Sequence, residues 1–426
     1  MKTIRTTLNK CFLLLCFLIV FSSCKSARIT KTINSTLKSS FYNNQFTGFL
    51  VYNPKTKDTI YQHNAHKYFT PASNTKIFTL YTALQMLPDS IPAFKYNIKQ
   101  DTLTLVGTGN PAFLHSFFND STAIQIAKAF KTIAIVETNL IDDKFGPGWA
   151  WEDYDTYFSP ERSAFPTYGN VVTISNLDSL SATPNIFKTD ISYATKKKRR
   201  AFNTNEFYYN PKHTDTIEVP MVLNRLTSES IWKDLTGNKV RFTSEIPKHL
   251  NTAYSIPSDS LYKRMMHVSD NFLAEQILIM ASSTQSDSLS SKKARDFMLN
   301  THLNTLTEKP RWVDGSGLSR YNLFSPNSFV DVLSRMYKSI DVTRLFNLFP
   351  AGGTSGTLKK WYAGQEQPYI YAKSGTLGNN YCLSGYLVTN SGETLIFSFM
   401  NNHYTTSTTH VKQNMQTIFE WLRNEY

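Results

Sequence analysis

The chain has 426 residues, of which 41% are hydrophobic, and it carries a formal net charge of +13. This length predicts two or three domains, and the hydrophobic content is enough for packed cores. The positive charge by itself allows a nucleic-acid partner, but an export signal at the N-terminus argues against one. The nine histidines show no spacing typical of a metal site, so we predict no metal.

The N-terminus is typical of an export signal. Basic residues precede an apolar run from Cys11 to Phe21, which is short for a membrane span. Ser22-Ser23-Cys24 follows and resembles the lipobox of bacterial lipoproteins, in which the cysteine is lipidated and becomes the first mature residue. An ordinary cleaved signal is the alternative. We therefore expect a signal peptide over residues 1–23, a lipid on Cys24, a tether over residues 24–40, and a periplasmic protein anchored to the bacterial membrane.

Both ends of the chain contain strand patterns. Phe46 to Tyr52 and Asp58 to Tyr61 alternate like paired strands around a turn. Near the other end, Cys382 to Val388 and Thr394 to Met400 flank a hairpin signal, and a final helix is predicted from about Val411 to Glu425. We expect these two ends to assemble into one domain, with the final helix packed on its sheet.

Ser73 is followed three residues later by Lys76. The apolar run after them predicts a buried helix, on which both side chains lie on one face. A serine hydroxyl needs a neighbouring base to act as a nucleophile, and a helix N-terminus favours a developing oxyanion. Burial and a second cation, for which Lys373 is the candidate, would lower the pKa of Lys76. Alone this spacing is a weak signal, because it recurs at Ser22, Ser35, Ser230, Ser260 and Ser290.

Two further polar segments lie downstream. Residues 96–252 contain short strand-like runs and many turn residues, which indicates a β-rich insert. Ser269-Asp270-Asn271 then precedes an apolar helical run, and helix capping is its ordinary interpretation. Residues 282–291 are predicted to form a surface loop between helices. Lys373-Ser374-Gly375-Thr376, taken alone, is more often a turn than a strand of an active site.

The order of the three segments is more informative than any one of them. They resemble the S-x-x-K, S-D-N and K-T-G set of class A β-lactamases and penicillin-binding proteins. Four longer segments resemble the D-alanyl-D-alanine carboxypeptidase/endopeptidase family of low-molecular-mass penicillin-binding proteins, namely 101–111, 146–153, 314–320 and 353–358. The distance from the first motif to the second is far longer than in a class A β-lactamase. We find no counterpart of the deacylating glutamate of β-lactamases, which disfavours rapid β-lactam hydrolysis.

This resemblance implies a fold and a domain organisation. The fold is the α/β (α+β) transpeptidase fold of penicillin-binding proteins and β-lactamases, with an antiparallel sheet flanked by helices. We expect a catalytic domain built from residues 41–95 plus 253–426, and a β-rich inserted domain over residues 96–252.

The resemblance also implies roles for the first two motifs. Ser73 would attack the carbonyl between two D-alanines of a peptidoglycan stem peptide, while Lys76 takes its proton. Ser269 would pass a proton to the departing amine, and Asn271 would hold the amide of the substrate. Water would then hydrolyse the acyl-enzyme, and no metal or organic cofactor is required.

The third motif would bind substrate. Lys373, with the hydroxyls of Ser374 and Thr376, suits the terminal carboxylate of the donor peptide, because a cation with neutral donors matches an anion. Gly375 would let the substrate backbone lie close to the strand edge. The backbone N–H groups of Ser73 and Thr376 would hold the oxyanion.

The expected partners are peptidoglycan stem peptides, β-lactam antibiotics as covalent inhibitors, and the membrane through the lipid anchor. A β-lactamase or esterase of the same superfamily stays open as an alternative, as does a catalytically silent wall-binding lipoprotein. The basic run over residues 196–200 is either a solvated loop or a surface attracted to anionic cell-wall polymer or lipid headgroups.

Overall fold

The computed structural model describes residues 28–212 and 214–426. The predicted signal peptide and Cys24 lie outside the described residues. In chain order the strands are β1 (Phe46–Asn53), β2 (Asp58–His63), β3 (Ser90–Lys99), β4 (Thr102–Gly107), β5 (Thr132–Val136), β6 (Val171–Ser175), β7 (Ser181–Thr183), β8 (Ile191–Tyr193), β9 (Phe207–Tyr209), β10 (Ile217–Pro220), β11 (Lys239–Thr243), β12 (Asn251–Pro257), β13 (Ile370–Leu377), β14 (Asn380–Val388) and β15 (Thr394–Asn402).

The helices alternate with these strands along most of the chain. They are α1 (residues 28–37 in its described part), α2 (Ser40–Asn43), α3 (Lys76–Met86), α4 (Thr122–Ala127), α5 (Arg225–Thr236), α6 (Ser258–Val268), α7 (Asn271–Ser282), α8 (Ser291–Asn300), α9 (Pro326–Ser339), α10 (Val342–Leu348) and α11 (Thr408–Glu425). Among the described residues, no helix is both long and apolar enough to span a membrane.

One compact unit, the terminal unit, combines the described residues up to Pro71 with Phe324–Tyr426. Its five-stranded sheet has the order β13-β14-β15-β1-β2, and every neighbouring pair is antiparallel. The predicted hairpins at both chain ends are confirmed. They are joined by pairing of β1 with β15, in which Phe46 faces Asn402.

Helices cover a face of this sheet. The buried residues of α11 recur at helical spacing, from Val411 and Met415 to Phe419, whose ring lies 4.6 Å from that of Phe397 between centroids. The predicted final helix and the antiparallel sheet flanked by helices are therefore confirmed. A periodic apolar stripe produces this packing, because burying it is what stabilises a surface helix.

Helix α1 corrects part of the predicted tether. Ile29 and Ile33 are each 1% exposed and belong to the core that also contains α11 and the sheet. The hydroxyl of Tyr61 donates to Asn34 Oδ1 at 2.7 Å. Residues 28–37 therefore pack onto the terminal unit instead of forming a free spacer, because their apolar residues repeat at helical spacing.

The second compact unit, the central unit, runs from Ala72 to Leu323. It contains a mixed five-stranded sheet of order β11-β5-β4-β3-β12, two smaller sheets, and a group of packed helices formed by α3, α6, α7 and α8. Residues 96–252 hold strands β4 to β11, as their β-rich pattern predicted. The assignment of 41–95 plus 253–426 to a catalytic domain, with 96–252 as its insert, stays a prediction.

The basic run is only partly solvated. Arg200 is 1% exposed, and its guanidinium donates to the carbonyl oxygens of Pro220 at 2.7 Å and Ala201 at 2.6 Å. Lys198 pairs with Asp155 at 3.2 Å. The run therefore ends in a cation that belongs to the packing of the central unit, while the residues before it include exposed ones.

Candidate active site

The first motif lies where a tight turn leads into α3. Ala72–Thr75 forms a 3-10 turn, and α3 continues from Lys76. Ser73 is half-buried and Lys76 is fully buried. Ala72 has φ +48°, a left-handed conformation that alanine rarely adopts, and such strain clusters at functional sites. The helix start predicted from the sequence is present, with a tighter first turn than expected.

Lys76 is held in one position by three acceptors. Its Nζ lies 2.9 Å from Ser73 Oγ, 2.7 Å from Asn271 Oδ1 and 2.7 Å from the carbonyl oxygen of Ser316. The structure therefore brings Ser73 and Lys76 together as the spacing predicted, and it adds Asn271 from the second motif. Nucleophile and base within hydrogen-bond reach is the geometry that serine activation requires.

Burial sets the protonation behaviour of this lysine. It lowers the pKa of Lys76 to about 8, and the carboxylates of Asp314, Asp270 and Glu275 oppose the shift. Taking an ammonium out of water disfavours its charged form, whereas nearby negative charges favour it. Near neutral pH most of the lysine is still protonated, but its neutral fraction is far larger than that of an ordinary lysine, which is what a general base needs.

The second motif joins two helices. Ser269 ends α6 with φ +62°, and Asp270 caps α7 by accepting a hydrogen bond from the backbone N–H of Leu273 at 3.0 Å. The capping interpretation is thus correct for Asp270. Asn271 begins α7 and donates through Nδ2 to the carbonyl oxygen of Phe158 at 3.1 Å. The cap fixes where α7 begins, and this aims the Asn271 amide at Lys76.

The third acceptor of Lys76, the Ser316 carbonyl, lies in a turn outside the three motifs. In the turn 314–319, Asp314 accepts from the backbone N–H groups of Gly317 at 2.8 Å and Ser319 at 2.7 Å, and from the Trp149 indole at 3.0 Å. This arrangement presents the Ser316 carbonyl to Lys76. The turn belongs to one of the four longer segments noted in the sequence, and its two glycines were the available signal.

Glu275 is a second residue that the motifs did not identify. It lies on α7, is 1% exposed, and accepts from the backbone N–H groups of Gly315 at 2.9 Å and Ser316 at 2.7 Å. Burial, with a contribution from the Asp314 charge, raises the pKa of Glu275 to about 7. The spacing of four residues after Asn271 places both side chains on one face of α7.

The third motif lies in the terminal unit, on strand β13. It is a strand and not a turn, with Lys373 opposite Ser384 and Gly375 opposite Cys382. Lys373 is fully buried and its Nζ donates to the carbonyl oxygen of Ser374 at 2.7 Å. The Ser374 hydroxyl donates to Thr357 Oγ1 at 2.8 Å, while Thr376 is exposed.

A half-buried serine with a buried lysine and an amide within hydrogen-bond reach is the arrangement expected of a serine hydrolase of the penicillin-binding type. The model of the D-Ala-D-Ala carboxypeptidase 3 (S13) family matches residues 29–229 and 236–425. The chain belongs to this family and is a serine-type D-Ala-D-Ala carboxypeptidase, as the resemblance implied.

The chain is also similar to individual proteins, in sequence and in fold. The chain is 24% identical over 441 residues to the D-alanyl-D-alanine carboxypeptidase DacB of Haemophilus influenzae, covering 89% of this chain and 90% of that protein. The crystal structure of penicillin binding protein 4 (dacB) from Haemophilus influenzae matches with a TM-score of 0.73 at 19% identity, covering 92% of this chain and 99% of that one. Bd3459, a predatory peptidoglycan endopeptidase from Bdellovibrio bacteriovorus, matches with a TM-score of 0.50 at 13% identity, covering 89% and 93%. The predicted fold is confirmed.

Proposed function

We propose that this chain hydrolyses the D-Ala–D-Ala bond of peptidoglycan stem peptides, and the equivalent D-Ala cross-link, through an acyl-enzyme on Ser73. The observation that carries the proposal is the 2.9 Å contact between Lys76 Nζ and Ser73 Oγ. A lysine whose pKa is lowered to about 8 by burial can accept the serine proton. The similarity to a carboxypeptidase and to an endopeptidase supports the two forms of the reaction.

In the acylation step, neutral Lys76 takes the Ser73 proton while Oγ bonds to the carbonyl carbon. The carbonyl oxygen becomes an oxyanion, which the backbone N–H groups of Ser73 and Thr376 stabilise. The C–N bond then breaks as Ser269 gives its proton to the departing amine and recovers one from protonated Lys76, so that D-alanine leaves and both groups return to their starting states. Water finally cleaves the ester and restores the Ser73 hydroxyl.

Substrate is held by the remaining polar groups of the motifs. Among the described residues, Asn271 Nδ2 has the Phe158 carbonyl as its acceptor, so its second N–H is the donor for the substrate amide. The terminal carboxylate goes to Lys373 with the hydroxyls of Ser374 and Thr376, and Gly375 allows the substrate backbone to approach the strand. The motif's position on β13 supports this assignment, because β13 is the edge strand of its sheet and an edge strand can bind an extended peptide.

A covalent labelling experiment tests the nucleophile. β-Lactams mimic the acyl-D-alanyl-D-alanine unit, so a fluorescent penicillin should label the protein, and Ser73→Ala should abolish the band. Ser230→Ala is the matched control, because exposed Ser230 has a lysine at the same spacing on α5. Labelling that survives in Ser73→Ala would refute the assignment.

The mass of the products from purified muropeptides separates the remaining functions. Loss of one D-alanine identifies carboxypeptidase activity, and conversion of cross-linked dimers to monomers identifies endopeptidase activity. Rapid release of the penicilloyl group with no peptide cleavage would favour a β-lactamase or esterase. Absence of both labelling and cleavage would favour a silent wall-binding lipoprotein.

We also propose that the protein is a periplasmic lipoprotein anchored through Cys24, with residues 1–23 removed as a signal peptide. The lipobox-like Ser22-Ser23-Cys24 after a short apolar run supports this proposal. Cys24→Ala should move the protein from the membrane fraction to the soluble fraction, because it removes the buried acyl chains. Retention of that variant in the membrane fraction would contradict a lipid on Cys24.

A further inference from the structure

A buried carboxylate lies behind the Lys76 base without touching it. Glu275 Oε1 accepts the N–H groups of Gly315 and Ser316, and the carbonyl oxygen of Ser316 accepts Lys76 Nζ at 2.7 Å. The Thr79 hydroxyl donates to the Gly315 carbonyl at 2.7 Å and ties the same turn to α3. The position of the base therefore depends on a turn that Glu275 holds from the other side.

The second oxygen of this carboxylate is poorly neutralised. Within the described residues, Glu275 Oε2 accepts no hydrogen bond, and its ion pair with Arg162 Nη1 is long, at 3.6 Å. Arg162 also lies 3.5 Å from Asp142, so its charge is shared between two carboxylates. A buried charge with an imperfect partner acts strongly on its neighbours, because the surrounding dielectric is low.

Charged groups reach Glu275 from several packed elements. Lys76 comes from α3, Asp314 from the turn 314–319, Arg295 from α8, and Arg162 from the loop between β5 and β6. Arg162 favours a negative Glu275 as a buried cation, whereas the negative charge of Asp314 opposes it. The Glu275 charge in turn favours the protonated form of Lys76.

We infer that Glu275 is a positioning residue for the Lys76 base. Its carboxylate holds the turn that fixes Lys76. Its negative charge, balanced by Arg162, controls how readily Lys76 becomes neutral. This inference rests on the proposed function, in which neutral Lys76 activates Ser73. Glu275 itself touches neither the nucleophile nor the substrate. Its two effects, geometry and charge, can be separated by substitution.

Glu275→Gln separates them because glutamine keeps Oε1 as an acceptor for both N–H groups and loses the charge. The rate of labelling by a fluorescent penicillin is measured as a function of pH. The midpoint of the rise should move to lower pH by about one unit, since a nearby charge of opposite sign no longer favours protonated Lys76. The rate at the alkaline plateau should be retained. In Glu275→Ala, which loses the oxygen that accepts both N–H groups, the plateau should fall about a hundredfold, as expected for a displaced base.

Thr79→Val is the control, because it removes a different hydrogen bond from the same turn and changes no charge. The plateau labelling rate of Thr79→Val should fall, while the midpoint of its pH profile should stay unchanged. An unchanged midpoint in Glu275→Gln, or an equal shift in Thr79→Val, would overturn the inference. If Glu275→Gln fails to fold, Glu275→Asp decides, since it keeps the charge on a shorter side chain. A lower plateau at an unchanged midpoint then supports the inference, and a moved midpoint overturns it.

The wild-type protein distinguishes this inference from the proposal on which it rests. Absence of Ser73 labelling in the wild type at every pH would refute the proposed function itself. Labelling of the wild type with a midpoint near the Lys76 pKa, together with an unshifted Glu275→Gln variant, would refute only the role of Glu275.

Discussion

Gly317 lies where the turn 314–319 meets the backbone just before the nucleophile. Its φ is +82°, and a Cβ added there would lie 1.9 Å from the carbonyl oxygen of Ala72 and 2.4 Å from its carbonyl carbon. Gly317→Ala is therefore expected to displace either the turn or Ala72. Because Ala72 precedes Ser73 directly, both possibilities disturb the arrangement of Ser73 and Lys76.

Two costs contribute to the expected effect. A left-handed alanine costs about 1 to 2 kcal/mol, and forcing a backbone shift in a packed region costs about 1 to 3 kcal/mol more. The free energy of unfolding should thus fall by about 2 to 5 kcal/mol. The rate of penicillin labelling should fall about a hundredfold, because catalytic groups tolerate displacements of well under an ångström.

Gly237→Ala is the matched control for this experiment. Gly237 ends α5 with φ +70°, and an added Cβ would have nothing within 4 Å. This variant places an alanine in the left-handed conformation, with its free-energy cost, but creates no steric clash. Urea unfolding midpoints and labelling rates are compared for both variants. If Gly317→Ala has the same urea unfolding midpoint as Gly237→Ala and is labelled at the wild-type rate, the close approach of the turn to Ala72 has no role in the site.

Three other expectations concern single groups. The labelling rate of the wild type should rise about tenfold per pH unit below the Lys76 pKa of about 8 and level off above it, since the neutral amine is the proposed base. A flat pH profile would contradict this role of Lys76. Labelling of Lys76→Ala should be slower by about two to four orders of magnitude. Lys373→Ala should slow cleavage of carboxylate-bearing peptides more than cleavage of an uncharged ester, and equal losses would argue against a carboxylate-binding role. Arg200→Ser should lower the free energy of unfolding by at least about 3 kcal/mol, because it leaves several buried carbonyl groups unpaired. Serine at the exposed positions Lys196, Lys197 and Arg199 should leave stability nearly unchanged and reduce sedimentation with cell walls at low salt; unaltered sedimentation would favour a solvated loop.

Local patterns made much of this architecture predictable. Alternating apolar residues identified β1, β2, β14 and β15, and helical spacing identified α3, α7 and α11, because burial on one face imposes these periods. The meeting of Ser73 with Lys76 followed from one helical turn. These predictions depend on residues close together in the chain.

The groups that the sequence did not reveal act through the backbone or through burial. The Ser316 acceptor is a main-chain carbonyl, which any residue carries. Glu275 stands within the apolar run of α7, where one carboxylate has no distinguishing pattern. Arg200 ends a run of five basic residues, which predicts exposure for all of them, yet its guanidinium is buried. The predicted tether over residues 24–40 includes the helical residues 28–37, because a short stripe of isoleucine and leucine gives a weak signal.

The pairing of β1 with β15 has a consequence for how the chain is made. Strand β1 leaves the ribosome long before its partner β15, because the whole central unit lies between them in the sequence. The central unit is continuous in sequence and can fold while the chain is still emerging, whereas the sheet of the terminal unit must wait for the C-terminal strands. Until then the β1–β2 hairpin exposes an unpaired edge to chaperones and proteases. A premature stop codon that removes only β15 and α11 would therefore leave β1 paired with β2 alone and would separate this hairpin from the rest of the sheet.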